Sequence, residues 1–394
     1  TGASTYASAY AQIGHGGTGA TGAKSGSITI DSLGSQITVA GGTNTGATTG
    51  YYAMIGHGGD LNGGSAIGDI IINALQASLA VTAGAQARNF ARIGHGGYNP
   101  GGTKAGNISL LLGGDVTLNG GGLDSYAQIG HGGRGAGGAT SGQVTVLAYD
   151  GSTYGDIVLK GGVGTDAYAQ IGHGGSLNLA SHGAAGDFIQ VDGASVTVEG
   201  GGGQRSYAQI GMGGATSVAG SHEGTLIGDV NVNQNGGGSG AVEAKGGAGV
   251  EAYAQIGIGG NAWDGDKTGS TRVTGTEVRL TSRGSSAHAL IGAGGGILNT
   301  ATDFPSGTIT GATWVTATNG GVSLNSSGGG SQAFTQIGMG GLLNDGTFNG
   351  TSPVSTTVSA TGAITLTGGG SSNTYAQIGA GGAGGGLGSD IGHR

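Results

Sequence analysis

Tyr126-Ala-Gln-Ile-Gly-His-Gly-Gly133 is one of ten copies or close variants of an octet that recurs along the whole chain. An octet that keeps its form while its spacing varies from 35 to 46 residues indicates one rigid unit per repeat, joined by loops of variable length. The chain is therefore predicted to be a repeat protein whose function resides on an extended surface. The octet isoleucines are Ile13, Ile55, Ile93, Ile129, Ile171, Ile210, Ile256, Ile291, Ile337 and Ile378.

The composition predicts a folded chain, although 100 of its 394 residues are glycine. Flexible low-complexity tracts lack the periodic apolar segments that this chain has, and only 9% of its residues are charged. The net charge of −8, without a cluster of basic residues, argues against nucleic acid as a partner. The chain has no cysteine for disulfides or thiolate metal sites, and no apolar run of the roughly 18 to 20 residues that a membrane-spanning helix needs.

Three short strand-like runs follow one another in each repeat. The first is the octet, the second is typified by Gln143-Val-Thr-Val146, and the third by Val116-Thr-Leu118, which precedes glycines. Alternation of apolar and small polar residues is the period of a strand with one buried face. The fold class predicted from this pattern is all-β, with almost no helix.

Two architectures suit such a unit. Turns such as Gly113-Gly114, Asp192-Gly193 and Asn319-Gly320 are compatible with antiparallel meanders stacked as propeller blades. The alternative places the three runs on three sides of a right-handed parallel β-solenoid (β-helix), where each strand pairs with its equivalent in the next coil. We favour the solenoid, because its narrow interior suits one or two aliphatic residues per strand with glycine at the corners, and because ten blades exceed the usual four to eight.

The repeats resemble those of filamentous-haemagglutinin-type secreted adhesins. The resemblance is carried by stretches such as Gly26-Ser-Ile-Thr-Ile-Asp-Ser-Leu-Gly-Ser-Gln-Ile-Thr-Val-Ala-Gly-Gly42 and Gly106-Asn-Ile-Ser-Leu-Leu-Leu-Gly-Gly-Asp-Val-Thr-Leu-Asn-Gly-Gly121. It implies a right-handed parallel β-helix exported across the outer membrane of Gram-negative bacteria. The octet and a unit of about 40 residues depart from that family, whose coils are shorter, so a repeat makes either one expanded coil or two coils. Three strand runs per unit favour one.

We expect a single domain over residues 1–394, with about ten coils of about 40 residues and three strands each. Ile391-Gly-His-Arg394 resembles part of another octet, so the chain is expected to be a segment of a longer β-helix or one subunit of a filament. The repeat units begin near residues 10, 52, 90, 126, 168, 207, 253, 288, 334 and 375.

Strand parity predicts two columns of side chains on the octet strand, opposite to its isoleucine. Equivalent residues on neighbouring coils lie about 4.8 Å apart, which allows aromatic rings to stack and glutamine amides to hydrogen-bond along a column. The aromatic column comprises Tyr10, Tyr52, Phe90, Tyr126, Tyr168, Tyr207, Tyr253, His288, Phe334 and Tyr375. The glutamine column comprises Gln12, Gln128, Gln170, Gln209, Gln255, Gln336 and Gln377.

A third column is formed by histidine at the sixth octet position. Stacked imidazoles can in principle coordinate a metal, but the later repeats carry apolar residues at this position, which favours a packed structural site. The predicted cost of protonating such histidines is destabilisation below about pH 6. The histidines are His15, His57, His95, His131 and His173, and the later residues are Met212, Ile258, Ala293, Met339 and Ala380.

Four aspartates follow glycine at the start of a strand, at Asp69, Asp156, Asp187 and Asp229. They suggest either a calcium-binding turn or ordinary turn hydrogen bonding, and the glycine-rich nonapeptide of calcium-binding β-rolls is absent. The acidic residues are otherwise scattered singly, so we expect no enzyme and no cofactor, and a polysaccharide-active enzyme is the least favoured hypothesis.

The sequence thus favours an extracellular structural protein that forms or extends a bacterial surface filament or matrix by homo-assembly, end to end or lateral. The alternative is a secreted adhesin module that binds glycans or host surfaces along the rod. Glycan contact through the aromatic column, for example at Tyr126 and Tyr168, requires that these rings face solvent.

Overall fold

The computed structural model describes residues 9–42, 50–135, 137–216, 224–296, 307–342 and 355–382. Within these ranges all regular structure is β, and no residue is helical. Ile391–Arg394 lie outside the described residues, so the octet-like end of the chain stays a prediction. We call each repeat a coil and number the coils from 1 to 10 by their octets.

The strands are short, with two to six residues each. Coils 1 to 3 contain β1 (Tyr10–Ile13), β2 (Lys24–Ser25), β3 (Ile28–Asp31), β4 (Gln36–Ala40), β5 (Tyr52–Ile55), β6 (Ala66–Ile67), β7 (Ile70–Ala74), β8 (Ser78–Thr82), β9 (Ala91–Ile93), β10 (Lys104–Ala105), β11 (Ile108–Leu112) and β12 (Val116–Asn119). Coils 4 to 6 contain β13 (Ala127–Ile129), β14 (Thr140–Ser141), β15 (Val144–Ala148), β16 (Ile157–Lys160), β17 (Ala169–Ile171), β18 (Phe188–Asp192), β19 (Val196–Glu199), β20 (Ala208–Ile210), β21 (Leu226–Ile227), β22 (Asp229–Val232) and β23 (Val242–Lys245).

The remaining strands follow the same order. Coils 7 to 10 contain β24 (Ala254–Ile256), β25 (Lys267–Thr268), β26 (Thr271–Gly275), β27 (Val278–Thr281), β28 (His288–Ile291), β29 (Gly294–Gly295), β30 (Ile309–Thr310), β31 (Ala312–Ala317), β32 (Val322–Asn325), β33 (Phe334–Ile337), β34 (Gly340–Gly341), β35 (Ser355–Ala360), β36 (Ile364–Thr367) and β37 (Tyr375–Ile378).

Equivalent strands of successive coils pair in parallel and build three long sheets. The octet sheet has ten strands, in the order β1-β5-β9-β13-β17-β20-β24-β28-β33-β37. The second sheet runs from β3 to β35 and the third from β4 to β36, with nine strands each. Octet strands pair directly, for example Tyr10 with Tyr52 and Ile13 with Ile55, so each repeat is one coil. The parallel β-solenoid is thereby confirmed, and the antiparallel propeller is wrong.

The aliphatic interior lies between the three sheets. In coil 4, the octet strand contributes Ile129, the second sheet Val144 and Val146, and the third sheet Ile157 and Leu159, all fully buried. Burying one such side chain stabilises the fold by roughly 1.5–3 kcal/mol. Aliphatic side chains continue this pattern along the rod, with threonine at the Val144 column in Thr271 and Thr313, so the interior is a largely apolar column.

Glycine is required where the octet strand turns. Gly130 has φ of +150°, and a Cβ at this position would lie 1.9 Å from the carbonyl oxygen of Gly172 in the next coil. The equivalent glycines of successive coils stack in the same way, as Gly94 does on Gly130. Close backbone approach, rather than flexibility, therefore explains the glycine that follows each octet isoleucine.

Two features differ from three simple strands per coil. Several coils carry a fourth strand of two residues between the octet and the second sheet, such as β10 and β14, which pair in parallel. In coil 4 the corner between the second and third sheets is extended into a small antiparallel hairpin closed by Tyr149 and Tyr154. Gly113-Gly114 and Asp192-Gly193 lie instead at corners between parallel sheets.

Candidate functional site

The octet turn is the backbone that follows each octet strand, Gly130–Gly133 in coil 4. It folds back over its own strand, since a Cβ at Gly133 would lie 2.7 Å from Tyr126 Oη. Tyr126 and Gln128 are consequently 0% exposed, although their side chains leave the strand opposite to Ile129. The octet sheet thus separates two buried layers, the aliphatic interior and a second core beneath the turns.

The aromatic column forms a continuous stack through that second core. Consecutive ring centroids are 4.6–5.0 Å apart, and the ring planes are inclined by 0–7°. Aromatic pairs of this kind contribute about 0.5–1.5 kcal/mol beyond the area that they bury. The stack joins Tyr10, Tyr52, Phe90, Tyr126, Tyr168, Tyr207, Tyr253, His288, Phe334 and Tyr375 in chain order.

Glycan contact through this column is excluded by its burial. Tyr126 and Tyr168 are fully buried, and only the end coils expose the column, with Tyr10 at 49%. Burial also raises the pKa of the phenols, to about 12 at Tyr52. The rings therefore serve packing, and the hypothesis of a sugar-binding stripe at Tyr126 and Tyr168 is wrong.

The glutamine column binds backbone instead of forming a ladder of amides. Gln170 Nε2 donates to the carbonyl oxygen of His173 in its own turn at 3.2 Å and to those of Gly211 and Gly213 in the next turn at 3.2 and 3.1 Å. The expected bonding between amides is limited to Gln128 Nε2 and Gln170 Oε1 at 3.5 Å. The amide of Gln170 thus gives Gly211 O its donor and adds a second donor to His173 O and Gly213 O, which also accept from the backbone N–H groups of Gly213 and Gly175.

The interior glutamines share this arrangement. Carbonyl oxygens in their own turn, in the next turn or in both accept from Gln12, Gln128, Gln170, Gln209, Gln255 and Gln336. Gln377, in the last described coil, donates to Ala380 O at 2.9 Å.

Arg92 occupies the glutamine position of coil 3, and sequence reasoning missed it. Its guanidinium donates to Gly132 O at 2.7 Å, Gly130 O at 2.6 Å and His95 O at 2.7 Å, so it replaces the amide with a buried cation. Burial lowers its pKa. The signal was its place in the octet, from which its donors reach the carbonyls that glutamine binds; Met54 and Leu290, at the same position of coils 2 and 8, have no donor to offer.

Two hydrogen bonds hold each ring of the histidine column from His57 to His173. Each Nδ1 accepts from the backbone N–H of the preceding histidine, and each Nε2 lies 2.7–2.9 Å from a glycine carbonyl oxygen of the preceding coil. The rings stack with centroids 4.7–5.1 Å apart. The bonded pairs are His15 with His57, His57 with His95, His95 with His131, and His131 with His173.

This bonding fixes the neutral imidazole with its proton on Nε2, because a backbone N–H only donates and a carbonyl only accepts. Both nitrogens of the four inner rings are therefore engaged, which leaves no lone pair for a metal. In the part of the chain that the structure describes, no group of three or more His, Asp or Glu side chains is placed to hold a metal ion. The column is a structural device.

Burial makes these rings hard to protonate. It lowers the pKa of His57 and His173, brings that of His95 to about 4, and holds that of His131 well below its usual range. The hydrogen bond from Nε2 to a glycine carbonyl acts in the opposite direction, and it is the smaller effect.

The four aspartates after glycine cap backbone N–H groups of neighbouring coils. Asp69 Oδ1 accepts from Asn107 N at 2.8 Å, and Asp229 Oδ1 from Ser270 N at 2.8 Å. Asp156 accepts from Ser195 N and Asp187 from Gly142 N. Turn hydrogen bonding explains these residues, and the arrangement offers no cluster of carboxylates for calcium.

A column of ion pairs lies two residues before the aromatic column, and the sequence analysis did not identify it. Asp166 accepts two hydrogen bonds from Arg205, at 2.8 and 3.2 Å, and lies 3.5 Å from Arg134 Nη2. Arg134 also lies 2.7 Å from Asp124, and Arg205 3.6 Å from Glu251. The available signal was the run of charged residues two positions before the octet aromatic ring, Arg88, Asp124, Asp166, Arg205 and Glu251.

Buried lysines fasten the loops that follow the octet turns. Lys24 Nζ lies 2.6 Å from Asn62 Oδ1 and Gly63 O, both in the loop of the next coil. Lys104 Nζ donates to Pro100 O and to Gly137 O of the next coil, and burial lowers its pKa to about 7. Each lysine ammonium thus links carbonyl oxygens of two successive loops, as a bound metal cation would.

Comparisons with known protein families, curated proteins and solved structures give no match to this chain. In the described ranges no helix has the length and apolar character to cross a membrane.

Proposed function

We propose that this protein is an extracellular structural β-solenoid, which forms or extends a bacterial surface filament or matrix by end-to-end association of identical rods. Its role is structural and not catalytic. The resemblance to filamentous-haemagglutinin-type repeats supports a secreted location. The observation that carries the proposal is the match between the two open ends of the solenoid.

Both ends expose side chains that are buried in every inner coil. At the first coil, β1 pairs only with β5 among the described strands, and Tyr10 and Ile13 are 49% and 52% exposed. At the other end of the described residues, β36 has β32 as its only partner strand within them, and Ile364 and Leu366 are 45% and 46% exposed. Unpaired backbone beside exposed apolar side chains favours the addition of another strand.

The two end faces have the same layout. β1 and β37 both read Tyr-Ala-Gln-Ile, and an unbroken register through the octet sheet connects them. Ile364 and Leu366 occupy the same register columns as Ile37 and Val39 of the first coil. Residues 355–382 contain no charged side chain, so no like charge opposes a second copy at this face.

Gln377 illustrates what a junction would complete. Inner glutamines such as Gln336 donate to two glycine carbonyls of the following coil, whereas Gln377 bonds within its own turn. A second rod placed on β37 would offer the carbonyls of Gly14 and Gly16 to this amide and would stack Tyr10 on Tyr375. Because the octet sheet has one strand more than the other two, contact between rods would begin there.

Electron microscopy and sedimentation velocity test the proposal. The purified chain is expected to form filaments much longer than one rod, which spans roughly 45 Å at the strand spacing. Leu366→Lys places a charge in the exposed end face and should leave single short rods. Thr117→Lys adds the same charge to the side of coil 3 and should leave the filaments intact.

Wild-type protein that stays a single rod at every concentration would contradict end-to-end assembly. Filaments of Leu366→Lys as long as those of the wild type would show that this face does not form the junction. Cell fractionation tests the location separately, since recovery of the protein from the cell interior alone would refute an extracellular role.

A further inference from the structure

A cleft lies on the side of the rod, on the outward face of the second sheet at coils 6 to 8. β22 ends at Val232, and Asn233, with φ of +56°, leads the chain away from the sheet. β26 continues to Gly275, so Thr274 has no strand partner in β22. The early end of one strand therefore opens a cleft between coils.

Polar and aromatic side chains line this cleft, whose volume is about 240 Å³. The sheet contributes Arg272 beside Trp314 and Thr274 beside Thr316, and the loop after β22 contributes Gln234. Gln234 Nε2 donates to Thr274 Oγ1 at 3.0 Å and to Val232 O at 2.9 Å, which holds the loop against the sheet. The cleft thus offers hydroxyl and amide groups beside an aromatic ring.

The aromatic wall is fixed on one side and open on the other. The guanidinium carbon of Arg272 lies 4.4 Å from the Trp314 ring centroid, and Arg272 Nη1 lies 3.1 Å from Asp229 Oδ2. On the following coil Trp314 pairs with Thr357, whose side chain is too short to cover an indole. Trp314 is partly exposed, in contrast to the fully buried Trp263, so it is the tryptophan that a ligand can reach.

A second aromatic group extends the same side of the rod toward coil 4. Tyr154 Oη donates to Asn235 O at 3.2 Å, so its ring reaches from the coil 4 hairpin to the loop that contains Gln234. Tyr149 packs against it with ring centroids 4.5 Å apart. From this pair to Trp314 the surface spans coils 4 to 8, which is about 19 Å at the strand spacing.

We propose that this surface, from Tyr154 to Trp314, binds a linear neutral oligosaccharide. The C–H face of a pyranose packs on an open aromatic ring, and sugar hydroxyls exchange hydrogen bonds with threonine hydroxyls and a glutamine amide. Arg272 is already paired with Asp229, so the site holds no spare charge for an acidic sugar. The site lies on the side of the rod, so it does not depend on assembly at the ends.

Tryptophan fluorescence provides the test. The intact chain is titrated with linear oligosaccharides of glucose, xylose, mannose and N-acetylglucosamine, and with an oligogalacturonate as the acidic counterpart. At least one neutral oligosaccharide is expected to change the emission of Trp314 saturably. Gln234→Ala and, by calorimetry, Trp314→Ala should each weaken that binding at least tenfold, whereas Thr117→Ala, on the third sheet, should leave it unchanged.

Thermal melts confirm that the variants are folded, and both substituted side chains lie at the surface. The proposal fails if no neutral oligosaccharide binds, if only the oligogalacturonate binds, or if Trp314→Ala and Gln234→Ala bind as tightly as the wild type. Filament length of Trp314→Ala should equal that of the wild type, so failure here is distinguishable from failure of end-to-end assembly.

Discussion

The backbone N–H of His95 donates a 2.9 Å hydrogen bond to Nδ1 of His131 in the next coil. The accepting nitrogen must carry no proton, so the neutral state of one side chain is part of the backbone hydrogen bonding between coils. Four successive pairs of coils share this relation, and all of them lie in the first half of the chain. In coils 6 to 10 the position holds Met212, Ile258, Ala293, Met339 and Ala380.

Mild acid should destabilise coils 2 to 5 more than coils 6 to 9, because the buried histidines are concentrated in coils 2 to 5, whereas the described part of coils 6 to 9 contains one, His288, whose pKa burial lowers to about 3. The folded pKa values of the buried histidines lie below the usual 6.5, so the unfolded chain binds more protons below that pH. Stability is fully present above about pH 6.5 and falls as the pH decreases toward about 4, the folded pKa of His95. At pH 5, His95 alone should cost roughly 2 kcal/mol.

The charges that face the column modify this effect without reversing it. Lys24 disfavours protonation of His57, and Arg92 that of the next three histidines, whereas Asp69 and Asp187 favour it at His95 and His173. Hydrogen exchange with mass spectrometry at pH 7 and pH 5, corrected for intrinsic rates, measures the outcome. Equal loss of protection in coils 2 to 5 and in coils 6 to 9 would contradict the prediction.

Loss of one glutamine amide should be costly, and arginine should replace it. Gln170→Leu leaves the buried carbonyl of Gly211 without its donor and removes the second donor of His173 O and Gly213 O, which should lower the free energy of unfolding by about 1–3 kcal/mol. Gln170→Arg should cost less, because Arg92 makes the equivalent bonds in coil 3. Leu290, at the same position of coil 8, provides the converse test, and Leu290→Gln should stabilise the chain in urea unfolding.

The stacked glycines of the octet turns should not tolerate a methyl group. Gly130→Ala places Cβ 1.9 Å from Gly172 O at a φ of +150°, so coils 4 and 5 must separate, at a cost above about 3 kcal/mol. Gly202 is exposed and has open space around its Cβ position, so Gly202→Ala should change stability by less than about 0.5 kcal/mol. Similar melting temperatures for the two variants would rule out the close-approach explanation.

The ion pairs at Asp166 should matter more than those on the open surface. Asp166→Asn removes the charge that two arginines share in a largely buried site, and about 1–3 kcal/mol of stability should be lost. Glu243→Gln breaks the more exposed pair with Arg279, which should cost less than about 1 kcal/mol. Chemical denaturation at low and high salt distinguishes them, and a larger loss for Glu243→Gln would refute this ranking.

The coil architecture could be predicted because the octet sequence indicates both which face of its strand is buried and which strands pair. Alternation places Ile129 inside, and recurrence of the same four residues predicts that octet strands pair with one another, as Ala127–Ile129 does with Ala169–Ile171. Periodicity therefore sufficed for the solenoid, for its one coil per repeat, and for the alignment of like side chains.

The second core could not be predicted from parity. Alternation shows that Tyr126 and Gln128 leave the strand on the side opposite to Ile129, but not whether that side meets water. The answer depends on the path of Gly130–Gly133, whose positive φ angles carry the chain back over the ring. The cleft at Trp314 was missed for a related reason, since it arises where β22 stops two residues short of the end of β26.

Side chains pack against both faces of the octet sheet, whereas the other two sheets each have one face toward solvent. A rod in which one of three sheets is packed on both faces is stiffer on that side, so it does not bend equally in all directions. Rings at van der Waals separation resist compression on that flank, and their columns run without a break past ten strands. Such a rod should bend most easily in the plane in which the octet sheet is neither compressed nor stretched. A long fibre would therefore have a preferred direction of bending.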